Sequence, residues 1–360
     1  MIDNTKILSV LKSNFGYDTF RPLQNEIVTN VLSKNDSLVL MSTGGGKSIC
    51  YQLPSLLLDG LTFVISPLIS LMKDQVDALK ANNIPAEYIN STLPQSEISV
   101  IRKKLVQEKV KILYIAPERL SLSYFVDFLK TLRVNLIAID EAHCISEWGH
   151  DFRPDYRKLK KLREDFTNAT IIALTSTATE IVRKDIIQQL GITDAKTFIS
   201  SFDRTNLTYI VRPKTNAFTD LIELLEKHKN ASTIIYCFSR KDTEKLATDL
   251  KQRGFSALSY HAGLDNNVRK ETQEKFIHDE IRIITATTAF GMGIDKPDVR
   301  LLVHYDLPKS VEGYYQETGR AGRDGFRSEC VLYFSIRKSM ICLSSSFLKS
   351  ETILYTDNSW

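Results

Sequence analysis

The sequence predicts an α/β protein of two tandem units, each a mostly parallel sheet flanked by helices. Three observations predict it. Short apolar runs rich in β-branched residues alternate along the chain with stretches of helix-like apolar spacing, the pattern of parallel strands joined by crossover helices. The 360 residues suffice for two domains of ordinary size, each able to bury its own core. A polar, aperiodic segment, SSFDRTNLTY from Ser200 to Tyr209, follows a helix closed by Gly191 and divides the runs into two groups.

In the first group the composition predicts strands over 37–41, 61–66, 112–115, 136–140 and 171–174; in the second, over 232–237, 281–285 and 301–305. The expected organisation is a first domain over 1–203, a second over 204–335 and a short C-terminal tail over 336–360. No low-complexity segment interrupts the chain, and no self-similarity at a period of 20 to 50 residues points to a solenoid. With 47 Lys and Arg against 43 Asp and Glu, the net charge of +4 is mild, so a polyanionic partner must be met by a local patch rather than by the bulk charge. Five cysteines (Cys50, Cys144, Cys237, Cys330, Cys342) are scattered, with no CxxC pair and no His/Cys cluster at zinc-ligand spacing, so reduced buried thiols and no zinc are expected. The N-terminal MIDNTKILSV lacks a basic segment followed by an apolar core, and no apolar run nears the ~20 residues of a membrane span; a cytoplasmic protein with no membrane partner is expected.

Chemistry first shows in LVLMSTGGGKSICYQLP, where a strand ending near Met41 turns through Thr43, Gly44, Gly45 and Gly46 into a helix expected to open at Lys47 and Ser48. Glycines let backbone N–H groups approach phosphate oxygens, and a helix N-terminus adds its dipole. Lys47 would meet the β and γ phosphates of a nucleotide, and Ser48 would ligand magnesium. The strict pattern asks for glycine where Met41 stands, and a plain strand-to-helix turn is the competing reading. Downstream, NLIAIDEAH is an apolar strand ending in Asp140 and Glu141. That arrangement lets Asp140 serve a metal while Glu141 orients and deprotonates an attacking water. Either acid alone would read as a solvated turn residue; together with the glycine loop they are read as the site of a nucleoside-triphosphate hydrolase using Mg²⁺.

Eight motifs in order then carry a family resemblance: FGYDTFRPLQNEI, STGGGKSICYQLP, SPLISLMKDQ, APERL, DEAHCISEWGHDFRP, LTSTAT, TTAFGMGIDKPDVR and YYQETGRAGRDG. The chain resembles the RecQ-family DNA helicases of superfamily 2, whose motor is two RecA-like domains. The resemblance implies an adenine site at Gln24, with Tyr17 and Arg21 offering flat faces to the base. It implies arginine fingers at Arg320 and Arg323, with Gln316 and His143 carrying the signal between nucleotide and DNA, and Thr175, Ser176 and Thr177 coupling hydrolysis to domain movement. Travel from 3′ to 5′ on single-stranded and forked DNA, and roles in repair and recombination, are implied likewise.

In this family the segment after the acidic motif senses single-stranded DNA. Trp148 and Phe152 would supply stacking faces, His150 and Arg153 would meet phosphate, and Gly149 would leave the loop mobile. From composition alone, Trp148 and Phe152 would be ordinary core anchors. Further phosphate contacts are expected from strand-end loops that include Ser66, Arg119, Arg240 and His261. Three departures from the family pattern, Ser42, Ser176 and Thr205, remove no catalytic group. A larger one is that family members usually continue into a four-cysteine zinc module and a winged helix, which Cys330 and Cys342 cannot supply. The expectation is therefore an ATP-dependent helicase or translocase, the alternatives being a DNA-stimulated ATPase that unwinds weakly and an inactive nucleic-acid-binding remnant.

Overall fold

The computed structural model describes residues 3–67, 69–149, 151–201, 203–291 and 296–335, with only the backbone at Ile69 and Ser70. His150 and the whole of the tail over 336–360, both singled out from sequence, lie outside the described residues. The chain divides into two compact units between Asp203 and Arg204.

The first unit holds seven strands: β1 (Ser37–Leu40), β2 (Leu61–Ile65), β3 (Ala86–Ile89), β4 (Ile112–Ile115), β5 (Val134–Ile139), β6 (Thr170–Thr175) and β7 (Lys196–Ile199). They form one sheet in the order β3-β4-β2-β5-β6-β1-β7, with every pairing parallel. The near-continuous apolar character of the central strands follows from burial of both faces. Leu38 and Leu40 enter one core with Phe63, Ile65, Ile137 and Ile139. Val39 and Met41, displaced by one residue, enter the other with Val64, Leu136 and Ala138. The two-residue period of a strand thus feeds two helical layers from one run of sequence.

The second unit repeats the arrangement with β8 (Leu207–Pro213), β9 (Ser232–Tyr236), β10 (Ala257–Tyr260), β11 (Ile283–Ala286), β12 (Val299–His304) and β13 (Ser328–Phe334). Their order is β10-β11-β9-β12-β13-β8, again all parallel. Ile235, Val303 and Val331 face one core, while Ile234, Leu302 and Cys330 face the other.

All eight strands expected from the apolar runs are present, with ends shifted by a residue or two. Five others were not anticipated. β3, β7, β8 and β10 close the sheet edges, where half the residues meet solvent; Lys196, Thr197 and Ile199 of β7 are exposed, so the apolar signal is diluted. β13 is interior but opens on the polar Ser328 and Glu329. The segment from Ser200 to Tyr209, expected to be wholly a connector, gives its last three residues to β8. Among the described residues, no helix is long and apolar enough to cross a membrane.

Candidate functional site

In the first sheet β5, β6 and β1 are neighbours, so the loops leaving their C-terminal ends are brought together, at the edge where open parallel sheets place ligands. Those loops carry the glycine run, the acidic pair and the Thr175–Thr177 segment.

The glycine loop follows β1. Gly44 and Gly46 have φ of 81° and 82°, left-handed values that L side chains rarely adopt, and a Cβ on Gly46 would lie 2.5 Å from Gln24 Nε2. The helix begins at Ile49 with Ser48 as its N-cap, two residues later than expected, because the left-handed Gly46 delays entry into helical backbone. Lys47 Nζ donates to the carbonyls of Met41 (3.1 Å) and Ser42 (3.4 Å). Met41 therefore serves the loop through its main chain while its side chain, 2% exposed, packs in the core. Gln24 is buried. Its Nε2 donates to Gly46 O (3.0 Å) and its Oε1 accepts from Arg21 N (2.9 Å), while Arg21 Nη1 donates to Gly44 O. The three adenine-motif residues thus separate: Gln24 and Arg21 grip the glycine loop, and Tyr17 is exposed.

Asp140 and Glu141 leave β5 beside Lys47. Burial, reinforced by the Glu141 carboxylate and opposed by Lys47, pushes the Asp140 carboxyl up to about 7. Its Oδ1 accepts from Glu141 N (3.0 Å). Glu141 sits at φ 49°, ψ 44°, a left-handed conformation uncommon outside glycine that Leu23, Lys34, Asn83, Glu108 and Asp279 share among the described residues. His143, 1% exposed, has Nδ1 2.9 Å from Thr175 Oγ1 and 3.3 Å from Glu141 Oε2. Thr175 Oγ1 donates its one proton to Thr177 O (3.0 Å) and accepts from Thr177 N (3.2 Å). His143 Nδ1 is then the donor to Thr175, the tautomer in which an imidazole carries its lone pair on Nε2. A continuous path of polar contacts joins Glu141 to Thr177.

The aromatic loop returns to the same turn. Trp148 is 73% exposed, which overturns the core-anchor reading for that residue. Phe152 is half-buried beneath the Arg157 guanidinium, 5.2 Å from its ring centroid. Arg153, expected to meet phosphate, donates to Asp151 Oδ2 through Nε (3.3 Å) and Nη2 (3.1 Å) and to Pro67 O (3.1 Å). Two main-chain ties close the loop onto its origin: Arg153 N to Cys144 O (2.9 Å) and Tyr156 Oη to Asp140 O (2.9 Å). A Cβ on Gly149 would stand 2.6 Å from His143 O. Close approach, rather than the loop mobility expected from sequence, is what requires glycine there. Tyr156, which ties the loop to the Asp140 carbonyl, is the position here to which motif reading gave no role.

The other expected DNA contacts are varied in setting. Ser66 is buried, with Oγ lacking a hydrogen-bond partner, while Arg119 closes on Asn90 O through Nε (2.9 Å) and Nη2 (2.7 Å). In the second unit Arg240 is exposed at a helix start. His261 is buried, its Nε2 2.9 Å from Glu244 Oε1 and its Nδ1 accepting from Gly263 N (3.2 Å). With both ring nitrogens occupied, His261 positions the Gly263 turn.

Also in the second unit, Gln316 is half-buried in the helix Val311–Thr318, whose end is anchored by Glu317 Oε2 at 2.7 Å from His304 Nε2. Arg320 is buried and donates to Gly291 O; its guanidinium lies so close that a Cβ on Gly291 would come within 2.5 Å of it. Arg323 is half-buried. Arg204 Nη2 donates to the carbonyls of Ala321 (3.1 Å) and Gly322 (2.9 Å), and Asn206 Nδ2 to those of Gly322 (2.8 Å) and Phe326 (3.0 Å). Sequence reading took this stretch only as a boundary; the sole signal was its density of polar side chains.

Two parallel-sheet units carrying a phosphate loop, an acidic strand end and an arginine-bearing helix end define the class: a tandem RecA-like helicase core. Residues 21–185 match the DEAD/DEAH box helicase family and residues 216–325 the helicase conserved C-terminal domain. The chain is 47% identical over 334 residues to the ATP-dependent DNA helicase RecQ of Haemophilus influenzae, covering 93% of this chain and 54% of that protein. It is 48% identical over 335 residues to its Bacillus subtilis namesake, covering 92% and 57%. Two helicase family models thus match the two units in turn, and the chain matches a RecQ-type motor core; it spans about half the length of the curated relatives it matches. Mss116 bound to single-stranded RNA and UDP-BeF superposes with a TM-score of 0.75 at 18% identity, over 95% of this chain and 75% of that one. For Saccharomyces cerevisiae Dbp5 bound to RNA and ADP BeF3 the values are 0.72, 16%, 94% and 90%.

Proposed function

We propose that this chain is an ATP-driven DNA translocase and helicase that moves 3′ to 5′ along single-stranded DNA. The observation that carries the reading is the convergence of the glycine loop, the Asp140–Glu141 turn and the Thr175–Thr177 segment at the ends of β1, β5 and β6. Two left-handed glycines shape a cradle for phosphates, with Lys47 within it. Burial and the neighbouring Glu141 carboxylate raise the Asp140 carboxyl despite Lys47, so an added cation would be favoured beside it; Ser48 and Asp140 would hold Mg²⁺. Bound there, the ion would neutralise charge on the β and γ phosphates. Glu141 takes the proton of the attacking water, and His143 fixes the Glu141 carboxylate from one side while bonding Thr175 on the other. Arg21 and Gln24, already bonded to the loop, would report adenine to it; Arg320 and Arg323 would stabilise charge at the γ-phosphate.

Exposure of Trp148 favours DNA sensing by the aromatic loop. An ordered base on Trp148 would act on the catalytic turn through the Cys144 and Asp140 ties, raising the population of the hydrolysing geometry. Repair or recombination of forked DNA is the corresponding cellular setting. The test is ATP turnover with Mg²⁺ alone, with single-stranded DNA and with single-stranded RNA. Stimulation by DNA over RNA is expected; equal stimulation by both would overturn the DNA assignment, and no turnover would leave a binding protein.

A further inference from the structure

We propose that His143, Cys144 and Asp151 form a site for one thiophilic divalent cation of the zinc class, set between the catalytic turn and the aromatic loop. Their ligand atoms all lie within 4.8 Å of one another. Cys144 Sγ is 3.8 Å from His143 Nε2 and 3.7 Å from Asp151 Oδ2. Ligands at ~2.3 Å (S) and ~2.0–2.2 Å (N, O) around tetrahedral zinc stand roughly 3.3–3.6 Å apart, so Cys144 needs only a small contraction toward each neighbour, while His143 and Asp151, within 4.8 Å of each other, would close by up to ~1.4 Å. Asp151 supplies it most readily, being on the loop with 39% of its side chain exposed. Linear spacing does not reveal the group, because His143 and Cys144 are adjacent and only the fold of the loop returns Asp151 to them.

Two independent features point to a metal rather than to a packed trio of polar groups. Thr175 fixes the proton of His143 on Nδ1, so the Nε2 lone pair is directed at Cys144; a hydrogen bond on the far ring nitrogen is the usual support of a metal-bound histidine. The donor set is S, N and O, which a soft or borderline cation accepts and Mg²⁺, an oxygen-seeking ion, does not. Three protein ligands leave a fourth position for water on the Asp151 side. On binding, the Cys144 thiol gives its proton to solvent and the sulfur pair goes to the cation, while Asp151 leaves Arg153.

The consequence is regulatory. An ion there fastens the loop to the turn at residue 151, beside the ties at Arg153 and Tyr156, and holds His143, which faces Glu141. The loop can then no longer transmit DNA binding, and stimulation falls more than the basal rate. This last step rests on the DNA-sensing reading; the site itself does not.

The experiment uses the 360-residue chain without nucleotide or DNA, with Co²⁺ as the optical probe and Zn²⁺ competing against a chromophoric chelator. One equivalent of Co²⁺ is expected to give a thiolate-to-cobalt charge-transfer band that Zn²⁺ displaces. Cys144→Ser should abolish the band. Both Cys144→Ser and Asp151→Asn should weaken Zn²⁺ by ~10- to 100-fold or more, since even supporting residues of metal sites contribute that much. Asp151, half-exposed, gives a variant that leaves the core intact should Cys144→Ser unfold. No cobalt band in the unmodified chain, or unchanged Zn²⁺ affinity in both variants, overturns the site. DNA-stimulated turnover unmoved by one equivalent of Zn²⁺ overturns its link to the loop.

Discussion

Trp148→Ala separates the two roles an aromatic residue can have. At 73% exposure, Trp148 keeps only about a quarter of a side chain of ~250 Å² from water. At ~25 cal/mol per Å², its removal forfeits under ~2 kcal/mol of burial, against the ~3–5 kcal/mol lost when a core aromatic becomes alanine. Its face is instead available to a base, and stacking contributes ~1–3 kcal/mol, which at ~1.4 kcal/mol per tenfold is a ~5- to ~100-fold change in affinity. The assay is ATP turnover against concentration of a homopolymeric single strand at fixed salt, paired with thermal melting. Expected are a basal rate and a melting temperature close to those of the unmodified protein, with the half-saturating DNA concentration raised by that factor or the stimulation lost. A steep fall in melting temperature, with normal stimulation in the folded remainder, would refute the reasoning.

Lys47→Ala should abolish nucleotide binding, read with a fluorescent ATP analogue, whereas Glu141→Gln should bind normally and hydrolyse ~10²- to 10⁴-fold more slowly; wild-type turnover by Glu141→Gln would remove the general base from the scheme. Asp140→Asn should melt higher than the unmodified protein at pH 8 although it hydrolyses nothing. The sign follows from an acid whose folded value, about 7, exceeds the ordinary ~3.9: the unfolded chain releases its proton first, so the penalty grows from about pH 4 to 7 and is complete above. The advantage of asparagine should therefore shrink as pH falls from 8 to 5, in melts without nucleotide or metal; an advantage that grows instead contradicts the burial argument. Arg204→Ala should take one donor each from the Ala321 and Gly322 carbonyls, leaving Gly322 its bond from Asn206, and speed amide exchange over 320–325; unchanged exchange there would show that Arg204 is not the brace.

How much was legible follows from where each signal resides. Lys47, Asp140 and Glu141 were found because the run before each, ending at Leu40 or Ile139, is buried on both faces and its polar terminus stands out. Edge strands such as β7 lack that contrast. Partnerships across the fold left no trace in the sequence: Thr175 is 32 residues from His143 and Ala321 is 117 from Arg204, so only the strand order brings each pair together. Gln24 and Arg21 were placed at the base of a nucleotide by resemblance, but their bonds to Gly46 and Gly44 arise from the packing of the helix Gln24–Leu32 beside β1. Gly149 was recognised as a special position for the wrong reason, since composition distinguishes glycine but does not say whether freedom or space is needed.

Glu141 occupies a backbone conformation that glycine or asparagine would hold with less strain, and strain of that kind is worth ~1–3 kcal/mol. A library at position 141 selected only for resistance to heat or protease would thus drift toward glycine and asparagine, and one selected for ATP turnover would return to glutamate. Optimising each residue of this chain against its backbone would replace Glu141, the proposed general base, together with other left-handed residues such as Leu23 and Glu108. The dihedral angles of a single turn are therefore a record of which selection has acted on it.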